Sequence, residues 1–250
     1  MTNKLINSLL LSMMALCSQA QIPTPDHEKL KDGELTIQPI THASLVLTYH
    51  KKNIYIDPTG GAVAYTGLGA PDLILITDIH GDHMDPKTIA AIDSGLVTIV
   101  VPQAVADKLP ASMDKAKLII LKNGDSAKIM GVTITAVPMY NLPETPEAFH
   151  TKGRGNGYIL SMGGKNIYIS GDTEDTPEMR ALKNIDIAFV CMNLPYTMDV
   201  TQASQGVLAF KPKVIYPYHY RGQDVNQFKT LVNAGDPNIE VRLRNWYPGK

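Results

Sequence analysis

A continuous apolar run that ends in a cluster of polar side chains is the strongest constraint on this chain. Residues 72–77 read DLILIT, and DIHGDH follows at 78–83. An uninterrupted apolar run of this length is typical of a strand that is buried on both faces. Layered folds commonly carry functional side chains on the loops that leave such strands. The sequence therefore predicts a layered fold with a polar site where this strand ends.

Strand-like and helical segments follow one another in two series along the chain. The first series opens with strand-like segments at 34–40, 43–49 and 53–58, and a hairpin-like segment at 157–170 belongs to the second. Strand and helix alternate after these segments, which predicts an α/β or α+β fold of two mixed sheets, packed together with helices outside. The helices are expected at 86–94, 103–109, 201–210 and 224–234.

Composition and charge argue against one class of partner. The 250 residues are 44% hydrophobic and 19% charged, which suits one large globular domain or two small ones. The net charge is -1 and no run of lysines and arginines occurs, so the basic footprint of a nucleic-acid-binding protein is missing. We therefore expect no nucleic-acid partner, and the sequence leaves the oligomeric state open.

The first 20 residues have the layout of a secretory signal peptide. Lys4 precedes an apolar stretch at 5–17, and a small-x-small pattern ends at Ala20, where cleavage is expected. The apolar stretch is shorter than the roughly 20 residues that span a bilayer, so no membrane span is expected after cleavage. A lipid-bearing Cys17 and a buried helix are the alternatives. The pattern predicts an exported protein, periplasmic or secreted.

Cleavage would divide the chain into three parts. Residues 1–20 form the predicted signal peptide, residues 21–33 a lead-in, and residues 34–250 a single catalytic domain. Cys191 would then be the remaining cysteine, so no internal disulfide is expected. It ends the apolar run IDIAFVC, and a small buried apolar role is favoured over a reactive thiol.

The polar cluster after the apolar run has the chemistry of a metal site. Asp78, His80 and Asp82 occupy alternate positions, so an extended backbone places them on one side, and the following turn brings His83 round. Imidazole nitrogens and carboxylate oxygens are ligands for zinc, iron and manganese. A solvated polar loop is the alternative interpretation.

Three further candidates follow later strand-like segments. His150 lies in the long polar segment 141–156, Asp172 follows a strand and a glycine, and His219 ends the segment KVIYPYH. Catalytic groups commonly occupy such positions on layered scaffolds. For Asp172, capping of the following helix is the alternative role.

Taken in order, these segments resemble the metallo-β-lactamase superfamily. DIHGDH resembles its His-x-His-x-Asp-His signature, NIYIDP resembles the strand whose terminal aspartate supports the metal site, and the segments of His150, Asp172 and His219 follow in the same order. THASLVL and YTMD resemble the generic metal-dependent hydrolases related to ascorbate-phosphate lactonases. The resemblance covers residues 34–222 and implies a four-layer αββα sandwich of two mixed sheets with outer helices.

The resemblance implies two adjacent metal positions that share one bridging carboxylate. The first position would take Asp78, His80 and His150, the second would take Asp82, His83 and His219, and Asp172 would bridge them.

Other residues are implied in supporting roles. Asp57 would orient a ligand, and His42 would do the same, touch substrate or be structural. Asn193 and Tyr196, in the turn NLPYTMD, would line the substrate pocket, with backbone amides of the turn as further candidates. Lys152 and Arg154 would meet an anionic substrate or stay solvated; the sequence does not decide between these roles.

One position departs from the signature, because Asp78 stands where the family has its first histidine. A carboxylate adds negative charge and oxygen character, which shifts preference from zinc towards manganese or iron, or weakens the first position. One or two divalent ions are therefore expected, zinc first, with manganese or iron as the alternatives. Gly81 argues against the flavo-diiron relatives, which carry an acidic ligand there.

The reaction that the resemblance implies is hydrolysis of a small-molecule substrate. Asp82 would be the catalytic residue that orients a metal-activated hydroxide, and the bond would be an ester, lactone, amide or phosphodiester, with a lactone or phosphoester favoured. One alternative is a mononuclear iron oxidoreductase similar to the sulfur dioxygenases of the superfamily. Another is a non-catalytic binding protein that keeps the fold.

Overall fold

Two seven-stranded sheets form the centre of the protein in a computed structural model, which describes residues 22–93, 95, 97–111, 113 and 117–248. The first sheet contains, in spatial order, β1 (Asp26–Leu30), β2 (Gly33–Thr41), β3 (Ser44–Tyr49), β4 (Lys52–Ile56), β5 (Leu73–Leu75), β6 (Thr98–Val101) and β7 (Leu118–Ile120). The second sheet contains β14 (Glu240–Val241), β13 (Val214–Tyr218), β12 (Ile187–Cys191), β11 (Lys165–Ile169), β10 (Gly155–Met162), β9 (Val132–Met139) and β8 (Ser126–Ile129). The helices are α1 (Pro86–Ile92), α2 (Gln103–Lys108), α3 (Pro177–Arg180), α4 (Val200–Phe210) and α5 (Val225–Gly235).

The two sheets repeat one topology. Strands β1–β4 are antiparallel neighbours and β4–β7 are parallel, and the second sheet likewise changes from antiparallel to parallel at β11. The pentapeptide KNIYI forms β4 and occurs again as β11, the strand at which the pairing changes in each sheet. In each sheet, a candidate site residue follows the strand at which parallel pairing begins. Asp57 follows β4, and Asp172 follows β11.

Alternation along β3 shows how the layers are stacked. Leu45 and Leu47 join a buried cluster that continues into the second sheet, whereas Val46 between them packs with Ile89 of α1 and Val105 of α2. Successive strand side chains point to opposite faces, so one face of this sheet covers the other sheet and the opposite face lies under helices. Helices α4 and α5 contribute buried residues to the cluster of the second sheet. The predicted αββα sandwich is confirmed.

Residues 26–30, inside the predicted lead-in, form a strand of the first sheet. β1 pairs antiparallel with β2, and its acidic side chains form ion pairs with residues near the second sheet. Glu28 pairs with Lys165 and Arg242, and Asp26 pairs with Arg244. The sequence DHEKL does not alternate apolar and polar residues. Its ion pairs therefore explain the position of β1 in the sheet better than its hydrophobic pattern does.

The predicted signal peptide, residues 1–20 with Cys17, lies outside the described residues. Within the described part, no helix combines the length and the hydropathy of a membrane span. Cys191 is buried, and burial raises the pKa of its thiol to about 12, which fits the inert interpretation.

The segment 123–125 joins strands of different sheets, since β7 belongs to the first sheet and β8 to the second.

Candidate metal centre

The candidate side chains lie on loops at one end of the two sheets. Asp57 follows β4, the cluster 78–83 follows β5, and His219 follows β13. His42, Asp57 and His219 all have positive φ, between 45° and 52°. Residues other than glycine rarely adopt this conformation, and such residues concentrate at functional sites. His42 belongs to the turn between β2 and β3.

Asp172 is the centre of the cluster. Its Oδ2 lies 3.2 Å from Nε2 of His83 and 3.2 Å from Nε2 of His150, and its Oδ1 lies 3.3 Å from Nε2 of His219. Burial raises the pKa of this carboxyl, but the charges of His219 and His83, with His150 close by, outweigh it and hold the pKa well below its usual range. The cap of α3 is Thr176, so Asp172 does not have the alternative capping role.

Asp78, His80 and His150 form a group on one side of Asp172. Oδ2 of Asp78 lies 2.8 Å from Nδ1 of His80 and 3.8 Å from Nε2 of His150. Burial raises the pKa of Asp78, but a hydrogen bond with His80 and the charges of His83 and Arg154 outweigh it, so the pKa falls to about 2. The residues of the predicted first position are therefore brought together.

Two overlapping groups lie on the other side and share His219. One joins His83, Asp172 and His219, and the other joins His42, Asp82 and His219. Oδ2 of Asp82 lies 3.0 Å from Nε2 of His42 and 3.5 Å from Nε2 of His219. The rings of His42 and His219 are 3.7 Å apart between centroids. The residues of the predicted second position converge as well, and His42 lies among them.

The buried atoms of this cluster fit a divalent cation. Nε2 of His83, His150 and His219 and Oδ1 of Asp172 are buried without a hydrogen-bond partner among the described residues. Unsatisfied buried polar atoms are rare in folded proteins, and here five belong to one cluster, since Nδ1 of His219 also has no partner among the described residues. Imidazole nitrogen with carboxylate oxygen is a donor set suited to zinc, manganese or iron. The side chains present can hold one or two such ions.

Asp57 supports the cluster from behind. Its Oδ2 lies 2.8 Å from Nδ1 of His83, while the backbone N–H and the hydroxyl of Thr77 donate hydrogen bonds to the same carboxylate. For His83, burial lowers the pKa, but the charges of Asp172 and Asp57 outweigh it, so the pKa of the imidazole is raised well above its usual value. The location matches the ligand-orienting role that the resemblance implies.

Asn141 is a supporting residue that the sequence analysis missed. Its Oδ1 accepts a hydrogen bond from the backbone N–H of His150 and lies 3.1 Å from Nδ1 of that residue. Its amide nitrogen donates to the backbone oxygen of Tyr196 and to Glu174. Asn141 therefore fixes the His150 loop and connects it to the turn that follows β12. Its position in a polar loop carries no sequence pattern that would have identified it.

Asn193 and Tyr196 lie on the turn beside this loop. The backbone N–H of Asn193 donates to the Thr197 hydroxyl, and the N–H groups of Tyr196 and Thr197 donate back to the Asn193 oxygen. These three amides are hydrogen-bonded inside the turn, and the role of Asn193 and Tyr196 in lining a substrate pocket stays a prediction. The half-exposed Tyr196 ring meets Phe149 edge-on at 5.0 Å, next to His150.

The two cations of the loop are paired with carboxylates. Arg154 donates to both oxygens of Asp78, at 3.1 and 3.0 Å, and Lys152 forms ion pairs with Glu178 at 2.8 Å and Glu144 at 3.3 Å. Beside the loop lies a pocket of about 240 Å³, bordered by His150 and by residues of 141–152.

Comparison with known proteins identifies the family. A family model described as a beta-lactamase superfamily domain matches residues 36–219, which is well over half of the chain. The chain belongs to the metallo-β-lactamase superfamily. The matched range contains every side chain of the three groups described above, which together form the Asp172 cluster. These are His42, Asp78, His80, Asp82, His83, His150, Asp172 and His219.

Similar members of the superfamily share the hydrolase assignment. A UPF0173 metal-dependent hydrolase of Thermus thermophilus is 30% identical over 185 residues, covering 72% of this chain and 80% of the relative. One from Pyrococcus abyssi is 30% identical over 218 residues, covering 81% and 93%. A solved structure from Parabacteroides distasonis, assigned as a metal-dependent hydrolase, is 42% identical with a TM-score of 0.81, covering 89% of this chain and 98% of that one. This chain is thus a metal-dependent hydrolase.

Proposed function

We propose that the protein is an exported hydrolase that opens a lactone or related ester of a small molecule, with zinc, or manganese or iron, bound at the Asp172 cluster. The observation that carries the proposal is the convergence of three histidine nitrogens on Asp172, all buried and without another partner among the described residues. A divalent ion bound by such groups supplies Lewis acidity and lowers the pKa of a coordinated water to about 7.

Asp82 is the group best placed to act on water. Its side chain is 44% exposed, whereas those of His83, His150 and His219 are nearly or fully buried. A hydrogen bond between Asp82 and His42 fixes its direction, and Tyr247 contacts the other nitrogen of His42 at 2.7 Å. Asp82 would therefore orient the attacking water by its exposed side.

An apolar rim beside His150 supports a substrate with an apolar part. Seven large hydrophobic side chains are exposed among the described residues, and four of them, Leu142, Phe149, Leu194 and Tyr196, lie on the two segments that Asn141 connects. Exposed apolar groups that cluster next to polar chemistry commonly mark a ligand site. The rim suits an alkyl or aryl substituent on the ester.

The pairing of both loop cations favours an uncharged ester over a phosphoester. Lys152 and Arg154 are already engaged by Glu178, Glu144 and Asp78. A phosphate would have to compete with these carboxylates for the cations. The preference for a lactone therefore rests on the rim, on the pairing and on the similarity of THASLVL and YTMD to the lactonase branch.

A substrate panel tests this activity. Protein starting at Gln21 and loaded with zinc or manganese is assayed on γ- and δ-lactones with alkyl substituents, on a phosphodiester and on a β-lactam, with Asp82→Ala as the blank. We expect lactone opening that Asp82→Ala lowers by about 10² fold or more, because the variant loses both the orienting carboxylate and a ligand of the second position. Hydrolysis of the phosphodiester alone would contradict the proposed bond, and oxygen uptake by an iron-loaded sample would favour the oxidoreductase alternative.

Export is tested on the full-length chain. Lys4 and the apolar stretch 5–17 support it. Intact-mass measurement of protein recovered from the periplasm of an expressing bacterium should give a chain that begins at Gln21. Recovery of uncleaved chain from the cytoplasm alone would contradict export.

A further inference from the structure

Arg154 occupies both oxygens of Asp78, the residue that departs from the family signature. Its Nε lies 3.1 Å from Oδ1 and its Nη2 lies 3.0 Å from Oδ2, while Nδ1 of His80 lies 2.8 Å from the same Oδ2. The Asp78 side chain has no exposed surface, and that of Arg154 is 19% exposed. A two-point contact between guanidinium and carboxylate in such surroundings is strong and fixed in geometry.

The backbone around Arg154 fixes this pairing in place. The N–H of Asn156 donates to the carbonyl of Thr77 at 2.9 Å, which joins the start of β10 to the residue before Asp78. At position 155 a Cβ would lie 2.9 Å from that carbonyl oxygen, so only glycine allows the two segments to approach this closely. The fold therefore holds the backbone of Arg154 close to that of Asp78.

The other side of the cluster has no such cation. Asp82 and Asp172 form ion pairs with histidines, and neither pairs with a lysine or arginine in the parts of the chain that the structure describes. The carboxylates of the second position thus remain available to a metal ion. In the first position, the Asp78 carboxylate accepts hydrogen bonds from the Arg154 guanidinium, whose positive charge also repels a dication.

We infer that the two metal positions are unequal. The second position, formed by Asp82, His83, His219 and Asp172, fills first and binds its ion tightly. The first position, formed by Asp78, His80 and His150, binds a further ion weakly. Arg154 is the positioning residue that creates the difference. The inference rests on the proposed metal centre and deepens it, because it states how many ions the enzyme keeps at low metal concentration.

Metal titration of chelator-stripped, full-length mature protein tests the inference without any activity assay. Zinc is added in an isothermal titration calorimeter, and the zinc retained after gel filtration is counted by elemental mass spectrometry. We expect the wild type to keep about one equivalent and to bind a second at least about tenfold more weakly. Arg154→Gln should tighten that second event by about tenfold or more and leave the first unchanged, since the carboxylate is released.

Matched variants distinguish the Arg154–Asp78 contact from the general effect of removing a positive charge and from an effect on folding. Lys152→Gln removes the same charge two residues away and should behave as wild type, and Arg154→Lys should lie between wild type and Arg154→Gln. If Arg154→Gln does not fold, Asp78→Asn decides, because it should keep the one tight equivalent.

Three results would overturn the inference. They are two equally tight equivalents in the wild type, a second event in Arg154→Gln that is unchanged or weaker, and loss of the tight equivalent in Asp78→Asn. A wild type that binds no zinc at all would overturn the proposed function together with the inference.

Discussion

Asp57 holds His83 in place from a position that no solvent reaches. Oδ2 of Asp57 and Nδ1 of His83 are 2.8 Å apart, and neither side chain has exposed surface. Asp57 lies on the Nδ1 side of the imidazole, so a proton held there by the carboxylate would leave Nε2, which lies 3.2 Å from Asp172, as the nitrogen that binds a metal ion. The pair would thus orient a buried histidine as a metal ligand.

The first prediction concerns this pair. Asp57→Asn should weaken binding of the tight zinc by about 10 to 100 fold, because an amide no longer stabilises the ring orientation or raises ligand basicity. Competition with a zinc chelator measures the change. Asp32→Asn is the control, since Asp32 is an exposed carboxylate that also contacts a histidine, His50. Equal affinity in Asp57→Asn and wild type would contradict the supporting role.

The second prediction concerns Asn141. Asn141→Ala removes the acceptor for the His150 backbone and the link to Tyr196, so the loop should open. We expect faster amide hydrogen exchange in residues 141–152 and a weaker second metal event, because His150 belongs to the weak position. Asn123→Ala, which removes a side-chain contact at Asn156 instead, is the control and should leave exchange of the loop unchanged. Unaltered exchange in Asn141→Ala would show that the loop is held by other contacts.

The third prediction concerns the apolar rim. Phe149→Ala and Tyr196→Ala should each lower kcat/KM for lactones with long alkyl substituents by about tenfold and change it little for unsubstituted lactones, since a buried alkyl group of a few carbons contributes about 1–2 kcal/mol. Met130→Ala removes an equally exposed apolar side chain that follows β8 and serves as the control. The same loss for short and long substrates would argue that the rim supports the loop and does not bind substrate.

The fourth prediction concerns stability against acid. Burial raises the pKa of Glu28, but hydrogen bonds from Lys165 and Arg242 outweigh it, so the folded-state pKa is lowered. The stabilisation is therefore complete above the unfolded pKa and is lost as pH falls through the folded one. Glu28→Gln should cost about 1–2 kcal/mol at pH 7, and its free energy of unfolding should approach that of the wild type only at an acid pH below the lowered folded-state pKa. Urea unfolding at both pH values measures this.

The control for Glu28 is an exposed carboxylate of the neighbouring strand. Glu34 pairs with His27, and both side chains are more than half exposed. Glu34→Gln should therefore change the free energy of unfolding by less than about 0.5 kcal/mol. A loss in Glu28→Gln no larger than that of Glu34→Gln would show that the ion pairs of β1 do not stabilise the protein.

The strands that were predicted correctly are those whose formation depends mainly on their own sequence. The strand-like segments 43–49 and 53–58 become β3 and β4 within two residues, because each is a short run rich in strand-forming residues that is bounded by turns. β1 escaped the analysis, since its residues DHEKL are held by pairing with β2 and by ion pairs to distant arginines. The partition of β7 and β8 into different sheets depends on packing of the whole chain, which no short pattern encodes.

For the site, the residues were predictable and their partners were not. The spacing of DIHGDH and the order of the later strand ends name the side chains that converge on Asp172. The contact of Asp78 with Arg154 spans 76 positions, and that of His42 with Tyr247 spans 205. Such contacts form only when both sheets are assembled, so the sequence left the role of Arg154 open.

The metal content of wild type and Asp172→Asn tests the account most directly. Both proteins, starting at Gln21, are purified without chelator or His-tag and measured by elemental mass spectrometry, with circular dichroism to verify folding. We predict about one equivalent of zinc, manganese or iron in the wild type and almost none in Asp172→Asn, because Asp172 contacts all three buried histidines. No metal in the wild type after reloading, or the same content in both proteins, would contradict the metal centre.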